Sequence, residues 1–259
     1  MKYGCVAAFN EIDLVASLGF DYVELHAREL LALNAAEISA LQKRLLLAKL
    51  PCLALNLYCP PEIVIAGENY DLPKAVAYAQ TLSKLASELG VENVGIGSPF
   101  SRTLPAGFPA DVAHTQSLDF FKATAEEFAK YNIVICIEAL ATCYCNFINT
   151  IDSAVEFAKE AGHEACQVVL DFYNMEHMQE ADISLSDYQS FIYHAHISDD
   201  AGSPTKRYFL DPKKSDIHIA RMQELKRIGY DRKISLEIDL AVNAHDAQAS
   251  LATMKKAFG

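Results

Sequence analysis

Four side chains carry the strongest chemical signal in this sequence: Glu138, Asp171, His196 and Glu237. Each closes a short apolar run, respectively Ile135-Cys136-Ile137-Glu138, Val169-Leu170-Asp171, His194-Ala195-His196 and Ser235-Leu236-Glu237. Taken singly, a glutamate after a strand is more often a helix cap or an ion-pair partner than a ligand. Four such endings on consecutive strands read differently. A carboxylate at the inner end of an apolar strand is costly unless a cation or donor compensates it. Three of them facing one axis repel one another, and a divalent cation relieves that repulsion. The set is hard and oxygen-rich, which favours Mn2+ or Mg2+, with Co2+ or Zn2+ as further candidates, over a thiolate-type structural zinc. Bound with an open side, such an ion would polarise a carbonyl and a neighbouring hydroxyl. Glu138 and Glu237 would then remove a proton from carbon and return it, as paired carboxylates do in general acid–base catalysis.

Eight elements must position these groups. Short, largely continuous apolar runs predict strands at Gly4–Ala8, Tyr22–Leu25, Cys52–Asn56, Asn93–Ile96, Ile133–Glu138, Gln167–Asp171, Tyr193–Ile197 and Ile234–Ile238, buried on both faces. Between them lie helical patterns at Glu11–Leu18, Ala35–Leu47, Pro73–Leu89, Ala110–Tyr131, Asp152–Ala161, Ser186–Ile192, Ile217–Ile228 and His245–Phe258. Gly19, Gly90, Gly162 and Gly229 follow helical runs, where a left-handed cap belongs. The polar, methionine-bearing stretch Tyr173–Leu185 reads as a loop or broken helix. Strict alternation implies a parallel sheet, and eight strands close a single (β/α)8 barrel over residues 1–259. Without a GxGxxG after the first strand, a dinucleotide-binding open sheet has no support. In such barrels the site lies where the strands end, which is where the four residues fall.

Composition narrows the partners. A net charge of −12 and no basic run argue against nucleic acid, whose binding draws on Lys and Arg neutralising phosphates. No apolar stretch approaches the roughly 20 residues of a membrane span, and the first residues carry no cleavable apolar segment, so a cytoplasmic location is expected. Seven cysteines form an odd set with no CxxC pair, which suits reduced thiols better than disulfides or zinc.

Longer stretches carry a resemblance. Gly19-Phe20-Asp21-Tyr22-Val23-Glu24-Leu25 comes first, then Gly97-Ser98-Pro99 with Arg102, Pro105 and Phe108. Ile137-Glu138-Ala139-Leu140 with Asn146-Phe147-Ile148-Asn149-Thr150 follows, then Leu170-Asp171, His194-Ala195-His196-Ile197-Ser198-Asp199 and Ser235-Leu236-Glu237. In this order they resemble the xylose-isomerase-like TIM barrels, in particular the sugar phosphate isomerase/epimerase group. The resemblance implies a metal on Glu138, Asp171, His196 and Glu237, with Glu138 and Glu237 as the proton-transfer pair. It implies a carbohydrate or polyol substrate, and a homo-oligomer would be in keeping with the relatives. The chain departs from the ketose 3-epimerases at three clamp positions, which hold Tyr144, Asn174 and Gly202 instead of Glu, His and Arg. Ser203-Pro204-Thr205-Lys206-Arg207-Tyr208 replaces their Pro-Gly-x-Gly segment.

Around the cage, Asn56 is a candidate hydroxyl binder, and Arg102, Lys206 and Arg207 are candidates for an anionic substrate group. Tyr144 and Asn174 occupy substrate-clamp positions, and His26 follows the second strand within reach of the pocket. Tyr58, Phe100 and Tyr144 are candidates for an apolar lid. His194 points the same way as His196, one layer deeper, in a buried hydrogen-bonded role. The leading expectation is a metal-dependent isomerase or epimerase. The alternatives are a lyase of the inosose dehydratase kind, in which the same proton abstraction ends in elimination, and a non-catalytic barrel that retains the cage. An abasic-site endonuclease is disfavoured by the charge and by the lack of further early histidines.

Overall fold

The computed structural model describes residues 1–181 and 183–258. Eight strands close a barrel: β1 (Lys2–Val6), β2 (Tyr22–His26), β3 (Cys52–Asn56), β4 (Asn93–Ile96), β5 (Val134–Glu138), β6 (Cys166–Asp171), β7 (Ile192–Ile197) and, last in the ring, β10 (Lys233–Leu236). Neighbours pair in parallel all the way round, and β1 closes the ring against both β2 and β10. Two short strands, β8 (Asp199–Asp200) and β9 (Arg207–Tyr208), form an antiparallel hairpin outside the barrel.

The strands are buried because they are apolar on both faces, and the helices form because their caps and stripes are in place. Helix α3 (Ala35–Ala48) starts at Asn34, whose Oδ1 accepts from the backbone N–H of Ala36 and Glu37 at 2.9 and 3.1 Å. Helix α6 (Ile151–Ala161) starts at Thr150 and stops at Gly162, whose φ of 61° is a conformation that costs glycine nothing. The outer ring is completed by α1 (Ile12–Ser17), α4 (Leu72–Glu88), α5 (Ala110–Ala129), α8 (Ser215–Arg227) and α9 (Ala244–Phe258), with short helices α2 (Ala27–Leu30) and α7 (Phe172–His177) directly after β2 and β6. Among the described residues, no helix is long and apolar enough to cross a membrane.

Three expectations need correction. The helix expected over Ser186–Ile192 is a single 3-10 turn, Ser186–Tyr188; Ile192 instead opens β7 and pairs with Val168, because closing the barrel claims its backbone bonds. The first strand lies two residues earlier than expected, and Glu237 follows the last strand rather than lying inside it. The stretch Tyr173–Leu185 begins as α7, capped by Asp171, whose side chain accepts from Tyr173 N at 2.8 Å; residue 182 of that stretch lies outside the described residues.

One glycine shapes the barrel floor beneath the site. Gly4 on β1 is in register with Tyr22 of β2 and Ser235 of β10. A Cβ at position 4 would fall 2.2 Å from the Tyr22 ring. Its absence lets that ring cross β1, so that Tyr22 OH reaches Ser235 Oγ at 2.7 Å.

Candidate metal centre

Glu138, Asp171 and His196 end β5, β6 and β7, and Glu237 follows β10, so barrel order brings them together. One ligating atom from each lies within 4.8 Å of the others, and all four residues are 9 % exposed or less. Asp171 and His196 are register partners across β6 and β7, which fixes their side-by-side placement. His196 Nδ1 lies 3.2 Å from Glu237 Oε2 and 3.6 Å from Glu138 Oε1.

The residues fit a divalent ion. His196 Nδ1 and Glu237 Oε2 are buried without a hydrogen-bond partner, although each points at the other. Buried polar atoms are rarely left unpaired, because the cost of desolvating them is not returned. A cation among three carboxylate oxygens and an imidazole nitrogen would satisfy both atoms at once. The second cluster of possible ligands, Glu24, His194 and His196, is different. Its members already bond one another: Glu24 accepts from His194 Nε2 at 2.8 Å, from His196 Nε2 at 3.0 Å and from Ser235 Oγ at 2.5 Å. Glu24 therefore orients the His196 ring from behind and leaves Nδ1 facing the cage.

The two glutamates of the cage differ in proton affinity. Burial lifts the Glu138 carboxyl above the usual range, and the nearby Glu237 charge lifts it further. For Glu237 burial acts the same way but is outweighed by Arg207 and His196, which hold it ionised. Burial alone would lower the proton affinity of His196, yet Glu237 and Glu24 raise it well above the ordinary imidazole value.

The cation already in the cage is Arg207, from β9. Its Nη2 donates to Asp171 Oδ2 at 2.6 Å and lies 3.8 Å from Glu138 Oε1. Its Nη1 is 2.8 Å from Glu237 Oε2 without the alignment of a hydrogen bond. Asn174 shares two of these oxygens, donating to Asp171 Oδ2 at 2.6 Å and to Glu138 Oε1 at 3.4 Å while its own Oδ1 accepts from Ala141 N. It is a brace within the cage wall. Gly97 lies against Glu138 so closely that a Cβ there would meet Oε2 at 2.3 Å.

Beside the cage opens a cleft of about 410 Å³, lined by Ala8, His26, Asn56, Glu237, Asp239 and Leu240 among others. Asn56 Nδ2 donates to Glu237 Oε1 at 3.1 Å, and its buried Oδ1 has no partner. His26 reaches the cleft while bonding Glu29 at 2.9 Å. Tyr144 is half-buried, its ring 5.9 Å from the Arg207 guanidinium carbon.

Four further candidates fall outside the lining of this cleft. Arg102 is fully buried and donates to the Glu138 carbonyl at 2.7 Å, while its Nε and Nη1 are buried without a partner. Lys206 is exposed in the turn before β9 and does not line the cleft. Tyr58 is no lid, since it is fully buried and packs edge-on against Tyr78 and Phe120. Phe100 is 90 % exposed. Glu24 was missed as a site residue, although a carboxylate in the middle of the apolar run Tyr22-Val23-Glu24-Leu25 was the signal for it.

The family model for the xylose isomerase-like TIM barrel matches residues 12–257. Among solved structures, a D-psicose 3-epimerase crystallised in the presence of D-fructose is 18% identical with a TM-score of 0.80, covering 100% of both chains. The D-psicose 3-epimerase from Clostridium cellulolyticum H10, solved with D-tagatose, is 19% identical with a TM-score of 0.81, covering 99% of each chain. The 3-keto-D-glucoside 4-epimerase from E. coli is 18% identical with a TM-score of 0.76, also covering 99% of each. At these identities the likeness is one of fold. No curated protein sequence matches the chain.

Proposed function

Since the chain belongs to the xylose isomerase-like TIM barrel family, we propose that it is a metal-dependent sugar epimerase or isomerase acting at the carbon next to a carbonyl. The observation that carries this reading is that Glu138 and Glu237 meet in one buried cage with Asp171 and His196. Two carboxylates paired in this way are suited to giving and taking protons in turn. Glu237, held ionised, removes the proton from carbon. Glu138 delivers a proton to the opposite face, taken up from solvent or from a substrate hydroxyl. Epimerisation follows when the proton returns to the same carbon, and isomerisation when it returns to the neighbouring one.

Glu138, Asp171, His196 and Glu237 would hold the divalent ion, for which Mn2+ suits the oxygen-rich set best. Bound there, it would polarise the substrate carbonyl and an adjacent hydroxyl. Asn56 and His26 line the cleft and would bind sugar hydroxyls, while Tyr144 and Arg207 would bound the substrate on the hairpin side. D-Fructose and D-tagatose, present with two neighbours of the same fold, support a ketose as the first substrate class to try. All seven cysteines are free, which supports a reducing, cytoplasmic setting.

The test is solvent exchange. The Mn2+-loaded protein is incubated with a panel of ketoses in D2O, and deuterium at the carbon next to the carbonyl is followed by NMR. Exchange should occur with the wild type and fall at least about a thousandfold in Glu237→Gln and Glu138→Gln. Exchange unchanged by either substitution overturns the proton-transfer pair. Loss of water from the substrate in place of exchange assigns the chain to the lyases instead.

A further inference from the structure

The guanidinium of Arg207 and a divalent ion would claim the same oxygens. Glu138 Oε1 and Glu237 Oε2 face His196 Nδ1, and these same two atoms, with Asp171 Oδ2, face Arg207 at 3.8, 2.8 and 2.6 Å. The side chain is only 7% exposed. The guanidinium, with His196 beside it, already offsets part of the charge of the three carboxylates. A divalent ion among the same oxygens would stand next to a like charge that has no water to screen it.

The placement of Arg207 is built. Its backbone N–H donates to Asp239 Oδ2 at 2.7 Å, and Asp239 N donates to its carbonyl at 3.2 Å, so both backbone groups are tied to the segment after Glu237. Nη1 also donates to Ser198 Oγ at 3.3 Å. The guanidinium lies 4.7 Å from the Tyr173 ring centre and 5.9 Å from that of Tyr144. These two rings offer cation–π faces to the guanidinium when the carboxylates are engaged elsewhere.

We propose that Arg207 is an internal counter-ion that competes with the divalent metal for Asp171, Glu138 and Glu237, so that loading the cage requires the guanidinium to leave it. This rests on the metal cage of the proposed function. Arg207 offsets part of the charge of three buried carboxylates before the metal arrives, at the expense of metal affinity. It also bridges Glu138 and Glu237, so its departure opens the space between the proton-transfer pair.

The test is titration calorimetry with MnCl2 on the wild type, Arg207→Met and Asp239→Asn, with thermal unfolding followed with and without Mn2+. Arg207→Met should bind Mn2+ at least about tenfold more tightly than the wild type. Its metal-free form should melt lower, and Mn2+ should raise its melting temperature by more than it raises that of the wild type. Asp239→Asn keeps the guanidinium but exchanges the charged acceptor of its backbone N–H for a weaker neutral amide oxygen, and it should tighten Mn2+ binding by a smaller factor; it provides the comparison if Arg207→Met does not fold without metal. Equal or weaker Mn2+ binding in the variants overturns the competition and leaves the cage standing. No binding to any of the three proteins overturns the cage itself, and the competition with it.

Discussion

Glu24 Oε1 lies 3.0 Å from His196 Nε2, on the side of the ring opposite the cage, so one imidazole joins a buried carboxylate on β2 to the ligand set at the strand ends. Burial would raise the proton affinity of Glu24, but His196 and His194 overcome it and hold the carboxyl ionised well below its usual range. An ionised Glu24 accepts from Nε2 and leaves Nδ1 as the ligating atom. A metal-bound histidine ordinarily has such a partner, and losing it typically costs 10–100-fold in metal affinity. Glu24→Gln is therefore expected to weaken Mn2+ binding by about that factor. Calorimetry giving wild-type affinity would show that the ring orientation is set elsewhere.

Metal binding should release protons. Glu138 and His196 both have raised proton affinities in the metal-free protein, for Glu138 chiefly through burial and for His196 through Glu237 and Glu24 overriding burial. Raised values mean that both groups hold protons near neutrality, and a ligand must shed its proton to bind. Mn2+ affinity should accordingly strengthen from pH 6 to pH 8. Calorimetry in two buffers of different ionisation enthalpy should report net proton release; identical heats in both buffers would contradict this.

Gly97 marks a close approach. A methyl group there would sit 2.3 Å from Glu138 Oε2, and the flexible carboxylate would have to turn away. Gly97→Ala should cost about 1–3 kcal/mol of stability at most but remove Glu138 from the cage. The expected pattern is a modest shift in chemical denaturation together with a large loss of Mn2+ affinity and of deuterium exchange. A variant that binds Mn2+ normally would count against this packing.

Asp199 ties the root of the hairpin to the outer ring. It accepts from Asp211 N at 2.6 Å, from His218 Nε2 at 2.7 Å and from Lys214 Nζ at 2.9 Å. Burial raises its proton affinity, but these donors more than reverse that and lower its pKa from 3.8 to about 2. A lowered folded value means the contribution is complete above about pH 4 and disappears as pH falls toward 2. At about 1.4 kcal/mol per pH unit, it amounts to roughly 2 kcal/mol. Urea unfolding at pH 5 and pH 3 should show a smaller acid-induced loss in Asp199→Asn than in the wild type. An equal loss would place the acid sensitivity on other groups.

What the sequence determined follows from local physics. Apolar runs buried on both faces, helix caps such as Asn34 and Thr150, and the left-handed stop at Gly162 act within a few residues, so eight strands in a closed barrel could be read along the chain. Glu138, Asp171, His196 and Glu237 were legible for a related reason: a polar group at the end of an apolar run has to be compensated. The expected helix over Ser186–Ile192 was not decided locally, because pairing with Val168 across the barrel claims Ile192. Arg102 and Arg207 both read as loop cations, yet one is buried against the Glu138 carbonyl and the other sits among the ligands. No neighbour in sequence distinguishes them. Arg207 is placed by Asp239, thirty-two residues away, and His196 is oriented by Glu24, from the other side of the barrel. Only the tertiary structure decided which charges meet, because an ion pair depends on distance in space and the chain carries no local record of it.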